Sequence, residues 1–258
     1  MKALGIASLG MLAQQHNVDV LANNLANMNT TAYRRVQAGF QDLVYTNMPR
    51  PGSSKSSAGP LVPAGVQRGH GVELGSTMRI NEQGSLKATH NTLDLAIQGP
   101  GFFQIQLPGG EQAYSRIGTF QLNNAGQIVT HDGNLLAGGI AIPANALDVS
   151  ISPAGTVQVK LQGQQNFQAV GQIQVVTFQN QGGLNARGDG LLFETTASGP
   201  PTPGIAGVGG RGTVLQGYLE TSNVNPIQEI AKLVAAQRAY EMNSRVVRAT
   251  DEMMQSPQ

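Results

Sequence analysis

A chain of 258 residues accommodates one large domain or two modest ones, and its 12% charged and 5% aromatic content beside 33 Gly and 13 Pro points to turn-rich β-structure rather than a helical enzyme. A net charge of +1, with Arg34-Arg35 as the only adjacent basic pair, leaves no basic face to neutralise nucleic-acid phosphates. Zero cysteines exclude disulfides and thiolate metal sites without fixing a compartment.

Lys2 followed by Ala3 to Ala13 has the outline of a secretory signal. Against that reading, Gly5 and Gly10 dilute the apolar run, and the apolar spacing continues unbroken past any cleavage point. No stretch approaches the ~20 apolar residues needed to span a bilayer. Instead the first ~30 residues read as a helix, with Leu4, Met11, Val18 and Leu25 recurring every seven positions and Leu21 and Met28 as a second row. Its other face carries Gln14, Gln15, Asn17, Asn23, Asn24 and Asn27, polar but hardly charged, unlike the surface of an ordinary solvated helix. The asparagines admit two readings: capping and solvation near a helix end, or interhelical hydrogen bonds that fix register between subunits. Asn29-Thr30-Thr31 favours side-chain bonds to the backbone, so the helix is expected to stop there.

After Phe40, Leu43 and Val44, the run from Pro49 through Pro51 to Pro60, followed by Pro63, is too rich in Pro, Gly and Ser to bury a core by itself. From Gly71 to Thr196 short alternating runs follow, among them Asp94 to Ile97, Phe102 to Ile105, Gly118 to Leu122 and Gln127 to Val129. Turns at Pro108-Gly109-Gly110, Asn124-Ala125-Gly126 and Asp132-Gly133 punctuate them, and Gly171 to Phe178 reads as the cleanest single strand. Ser198 to Gly212 reads as a second linker, making the β domain an insertion between two terminal segments. Asn225-Pro226-Ile227-Gln228 then supplies an N-cap, a proline at the first helical position and a capping-box Gln. Downstream, Leu233, Tyr240, Val247 and Met254 recur every seven residues, with Ala236, Asn243 and Thr250 as small or polar companions. Two terminal helices, neither self-sufficient, are expected to pack on each other and on other copies.

Catalytic signatures are missing. Gly207-Val208-Gly209-Gly210-Arg211-Gly212 matches GxGxxG formally, but Pro-rich residues precede it and no helix signal follows. His16, His70, His90 and His131 lie far apart without ligand spacing, and there is no GxSxG elbow. No catalytic, cofactor-binding or metal residue is assigned.

Met1 to Leu4 through Gly10-Met11, then Ala22 to Asn27 and Asn29 to Arg34, resemble the amino-terminal signature of the axial proteins of the bacterial flagellum, the rod and hook subunits. Ala32 and Tyr33 stand where that family commonly has Gly and Phe. Asp94 to Phe103 and Tyr114 to Gly133 are similar to its β-domain motifs, and Gly217 to Asn225 with Gln237 to Asn243 to its terminal motif. The length and the linker after Thr46 resemble the members that build the distal rod.

The resemblance implies an α+β fold in which the terminal helices pack as a coiled-coil-like inner layer around an export channel, with an inserted all-β domain outside. The expected division is an amino-terminal assembly segment 1–45, an extended linker 46–70, the β domain 71–197, a return linker 198–223 and an assembly helix 224–258. The self-assembly residues it implies are Leu4, Met11, Val18, Leu21, Ala22, Asn23, Asn24, Leu25, Ala26, Asn27 and Met28. At the other end they are Leu233, Gln237, Arg238, Ala239, Tyr240, Glu241, Asn243, Val247 and Met254. Pro49, Pro51, Pro60 and Pro63 are expected to stiffen the linker.

The function implied is a structural, non-enzymatic subunit of a torque-transmitting tubular shaft in the periplasm, exported without a cleaved signal peptide. Its partners would be itself, proximal rod subunits, hook or hook-junction proteins and the surrounding rings, without nucleic acid or membrane insertion. Two alternatives accompany it: a proximal rod or hook-type subunit, and a monomeric carbohydrate-binding or peptidoglycan-acting β protein.

Overall fold

The computed structural model of the chain describes residues 2–48, 66–164 and 166–255. Two compact units divide it. The first joins Met1–Ala26, Val36–Arg79 and Asn225–Gln258; the second joins Asn27–Arg35 and Ile80–Val224.

In the first unit, helix α1 (Lys2–Ala26) is followed by strands β1 (Val36–Asp42), β2 (Thr46–Met48), β3 (Val66–Arg68) and β4 (Val72–Arg79), and helix α2 (Pro226–Gln255) closes it. The helix α2 begins where its cap predicts: Asn225 Oδ1 accepts the amides of Ile227 at 3.1 Å and Gln228 at 3.4 Å, satisfying donors that a helix start leaves without partners. α1 ends at Ala26, slightly ahead of the expected stop; a turn follows in which the Asn27 backbone carbonyl accepts the Thr30 amide and Asn27 Oδ1 accepts the Thr30 hydroxyl.

The two helices run antiparallel, with Asn24 opposite Glu229 and Gly10 opposite Asn243. Their buried side chains are mostly small: Ala7, Ala13, Leu21 and Asn24 on α1, and Glu229, Ala236 and Thr250 on α2. A Cβ added at Gly10 would lie 2.9 Å from Asn243 Nδ2, so the helices approach closely there. A two-stranded ribbon pairs β1 with β4, from Val36↔Arg79 to Asp42↔Val72, with a bulge between Gly39 and Phe40.

β4, whose residues fall within the expected β domain 71–197, is the backbone partner that β1 requires, and the second unit resumes at Ile80. β2 and β3 pair from Thr46↔Arg68 to Met48↔Val66, bringing together the two ends of the 46–70 stretch. Pro49, Pro51, Pro60 and Pro63 lie outside the described residues.

In the second unit the strands are β5 (Leu86–Ala88), β6 (Leu95–Gln98), β7 (Phe102–Gln106), β8 (Gln112–Ser115), β9 (Phe120–Leu122), β10 (Ile128–Thr130), β11 (Leu135–Leu136), β12 (Ala146–Ile151) and β13 (Thr156–Leu161). They continue as β14 (Gln168–Gln172), β15 (Gln174–Thr177), β16 (Asn185–Gly188), β17 (Leu191–Phe193), β18 (Thr202–Ile205), β19 (Thr213–Gln216) and β20 (Tyr218–Glu220). The largest sheet runs β16-β17-β8-β7-β11-β10-β9, with β15 also pairing β7 and β18 pairing β15. A three-stranded sheet β12-β13-β14 and the pairs β19-β6 and β20-β5 complete the unit.

β7 and β15 are buried on both faces, which is why Phe102-Phe103 and Val175-Val176 read as continuous apolar runs rather than alternations. Phe103, Ile105 and Val175 join Ile97, Phe120, Val157, Val159 and Ile173 in the main core. Phe102 and Val176 face a second cluster with Tyr114, Phe178 and Leu184, where Tyr114 and Phe178 pack edge to face at 4.8 Å. Burial pushes the Tyr114 phenol above its ordinary range.

The three expected turns join β7 to β8, β9 to β10 and β10 to β11, closed by amides of Gly110, Gly126 and Gly133. Gly171 to Phe178, read as one strand, is two, because the chain changes sheets at Ile173, a fully buried residue whose amide bonds to Gly155 O.

The 198–223 stretch, expected as a return linker, contains β18, β19 and β20, all paired into the unit. Gly207 to Gly212 forms the turn between β18 and β19, with Gly207, Gly209 and Gly210 at φ of 78°, 65° and 79°, a region that glycine enters at little cost. Arg211 reaches from this turn to donate to the carbonyls of Thr202 and Pro203 on β18.

Candidate functional site

Because the close approach of α1 and α2 rests on small residues, larger apolar side chains are left outside it. Of the row on α2 expected to form the seam, Leu233 and Val247 are half-buried while Tyr240 and Met254 are exposed. The inward position belongs to their companions Ala236 and Thr250, with Asn243 half-buried beside them. Gln237, Arg238 and Glu241 are exposed and Ala239 is half-buried. On α1, Leu21 and Asn24 are buried, Leu4, Met11, Val18 and Leu25 are half-buried, and Ala22, Asn23 and Ala26 are exposed. Beyond the helix end, Asn27 is half-buried and Met28 exposed.

The outward side of α2 carries a set that reading in sevens missed. Ile227 is 81% exposed, and Ile230 and Val234 follow at helical spacing, each more than 40% exposed. Met242, Val246 and Met253 continue as a second exposed apolar row. The i, i+3, i+7 spacing from Ile227 was the available signal. An exposed apolar stripe on a helix whose other side is already packed marks a surface for another protein.

The Asn24 side chain makes an interhelical bond within a single chain. Its amide donates to Val36 O at 2.8 Å and to Glu229 Oε2 at 3.0 Å, and its oxygen accepts from Val36 N at 2.8 Å. It therefore fixes both the register of α1 against α2 and the start of β1. Glu229, itself buried, is held on its other oxygen by Lys232 at 2.9 Å.

The second unit holds a buried charge cluster that no local pattern announced. Glu220 is 2% exposed; its Oε1 meets Arg34 Nη2 at 2.7 Å and the amide of Gly84 at 2.9 Å, and its Oε2 meets Arg116 Nη1 at 3.0 Å. Arg116 also donates to Ile97 O and Gly99 O, and Arg34 to Glu82 O. Burial pushes the Arg116 guanidinium down to about 10, opposed by the charge of Glu220 and assisted by that of Arg34, so it remains charged at neutral pH. Burial also lowers Arg34.

Beside this cluster, Asn223 accepts from Arg35 N at 2.7 Å and donates to the carbonyls of Ile80 and Glu82 at 3.0 Å each. Arg34, Arg116 and Glu220 each fall within one of the three stretches that resemble the axial family, and the fold brings them together.

Among the described residues there is no group of three or more His, Asp or Glu that could hold a metal, and no helix long and apolar enough to cross a membrane. His70 bonds through its ring to Val44 O and Thr46 Oγ1, and His131 lies beside Asp132 on the surface.

Terminal helices folded back on each other, with an apolar stripe outward and a β unit inserted between them, define a structural subunit built to be packed. Residues 4–34 match the family described as flagella basal body rod protein, residues 96–159 the flagellar hook protein FlgE/F/G D1 domain, and residues 215–256 the flagellar basal body rod FlgEFG protein C-terminal family. The chain is 54% identical to the flagellar basal-body rod protein FlgG of Caulobacter vibrioides, over 99% of this chain and 98% of that one. It is 45% identical to FlgG of Buchnera aphidicola subsp. Baizongia pistaciae over 98% and 97% of the two chains. Against the FlgF rod protein of the same Caulobacter species, identity falls to 32% over 98% of this chain and 95% of that one. The chain belongs to the FlgG family of flagellar basal-body rod proteins, a structural family.

Proposed function

We infer that this chain is the subunit of the distal rod, a tubular shaft that transmits torque from motor to hook and encloses an export channel. The observation that carries the assembly mechanism is the outward apolar stripe of α2, Ile227, Ile230 and Val234, on a helix whose opposite side is already packed against α1. Identical subunits that join through two different surfaces in a non-closing, head-to-tail contact build a helical filament. The helix pair offers such surfaces, with Leu25 and the other half-buried residues of α1 contributing to the second. The principal partner is a further copy of the chain; proximal rod subunits, hook or hook-junction proteins and surrounding ring proteins meet the filament at its ends and outer face. On this reading the protein acts in the periplasm.

The 46–70 stretch contributes to the stiffness of the shaft. The β2–β3 pairing supports this by drawing its two ends together, so that the stretch leaves and returns at one place.

Electron microscopy and sedimentation of the concentrated full-length chain test the reading, beside Leu25→Asp and Ile230→Asp. Wild type is expected to form filaments, while either variant stays monomeric with an unchanged near-ultraviolet signal from the β unit. Variants that assemble as wild type does would overturn the assignment of this surface, and wild type that stays monodisperse at high concentration would overturn the polymer itself.

A further inference from the structure

We propose that residues Asn27–Arg35 form a releasable strap, which unlatches from the second unit as one piece while the sheets of that unit stay folded. The strap is held almost entirely by polar bonds. Ala32 N donates to Glu220 O at 2.8 Å, Asn223 N to Tyr33 O at 3.3 Å, and Ile80 N to Arg35 O at 2.9 Å. The side chain of Asn223 accepts from Arg35 N, and Arg34 reaches Glu220 and Glu82 O. Apolar burial contributes little, since Ala32 supplies the only buried apolar side chain of the stretch and Tyr33 is half-buried. Segments with few buried apolar contacts open at lower free energy than the core beside them.

Two further features favour release. Ala32 sits at φ 56°, in the left-handed region that disfavours a residue carrying a Cβ. The strap is thus held closed against a backbone cost. The second is the charge arithmetic of the cluster. Removing one partner of a buried ion pair is ordinarily costly because it strands the other charge. Here Arg34 leaves without stranding Glu220, which keeps Arg116 at 3.0 Å and the Gly84 amide at 2.9 Å. Departure of Arg34 also relieves its repulsion of Arg116. Two guanidiniums on one carboxylate make a latch with a permanent half and a detachable half. Since the strap is the connection between α1 and β1, unlatching loosens that connection without dissolving any sheet.

Hydrogen exchange of the full-length chain, kept below the concentration at which it assembles, tests the proposal. The amides of Ala32, Arg35, Ile80 and Asn223 are expected to exchange together and well ahead of those in β7 and β15. Ala32→Gly relieves the backbone cost and is expected to slow exchange of the strap roughly three- to tenfold. Asn223→Ala removes three bonds and is expected to accelerate it by about tenfold or more. In both variants β7 and β15 are unchanged. Strap and core exchanging at one rate in wild type, or either variant shifting both alike, would overturn the strap as a separate opening unit.

Discussion

Replacing Asn24 tests the register of the helix pair more directly than any apolar substitution. Asn24→Ala leaves the amide and carbonyl of Val36 without the partners they now have at 2.8 Å, and takes a donor from the buried carboxylate of Glu229. An unsatisfied buried group costs roughly 1–3 kcal/mol, and because Val36 is only half-buried the low end applies to both of its groups. Ala returns about 0.5 kcal/mol through its better helix propensity, so a net loss of about 2 kcal/mol is expected. Asn24→Asp should cost more, although the side chain is nearly the same shape. Asp still accepts from Val36 N but cannot donate to Val36 O, and it sets a second carboxylate where the Asn24 amide now meets Glu229 at 3.0 Å. Urea unfolding followed at 222 nm reports the change, since both helices lie in this unit. A loss below about 0.5 kcal/mol in Asn24→Ala, or an Asp variant no less stable than the Ala variant, would refute the reasoning.

Asn225→Ala removes the acceptor for the amides of Ile227 and Gln228 and should lower the stability of the helical unit by about 1 kcal/mol, read by the same urea titration; no shift in midpoint would mean that solvent caps α2 equally well. Gly118→Ala should be far more severe in the second unit, because a Cβ there would fall 1.6 Å from Leu95 O, a backbone atom that cannot move without breaking the β6 region. A loss of about 3 kcal/mol or more is expected, measured by near-ultraviolet dichroism of its buried aromatic residues, and a change under about 1 kcal/mol would contradict the close approach.

What could be read in advance was local chemistry. The N-cap at Asn225 and proline at Pro226 stood where the helix begins, the glycine turns at Gly110, Gly126 and Gly133 close hairpins, and the terminal helices pack on each other, with the β-rich domain between them in the chain. What escaped was chemistry made only by the fold. Arg116 and Glu220 are 104 positions apart in the chain, so no periodicity or spacing could show that they share a buried cluster with Arg34. β18 and β19 hid in a stretch whose Pro and Gly content signals a linker; a proline is tolerated on an edge strand and the glycines form the turn between the two. On α2, counting in sevens favoured the large residues Tyr240 and Met254, whereas the close helix contact selected the small Ala236 and Thr250. Size decided which side faced inward, and the large side chains were left for other contacts.

The Arg211 bonds to β18 bear on how such a protein is kept soluble. β18 lies at the margin of the largest sheet, where unpaired backbone groups invite any passing strand to extend it. Pro203 presents no amide hydrogen there, and Arg211 occupies the carbonyls of Thr202 and Pro203 with a charged group. An edge capped in this way is a poor template for a strand from a neighbouring copy, so crowded copies are kept from extending the sheet at this margin.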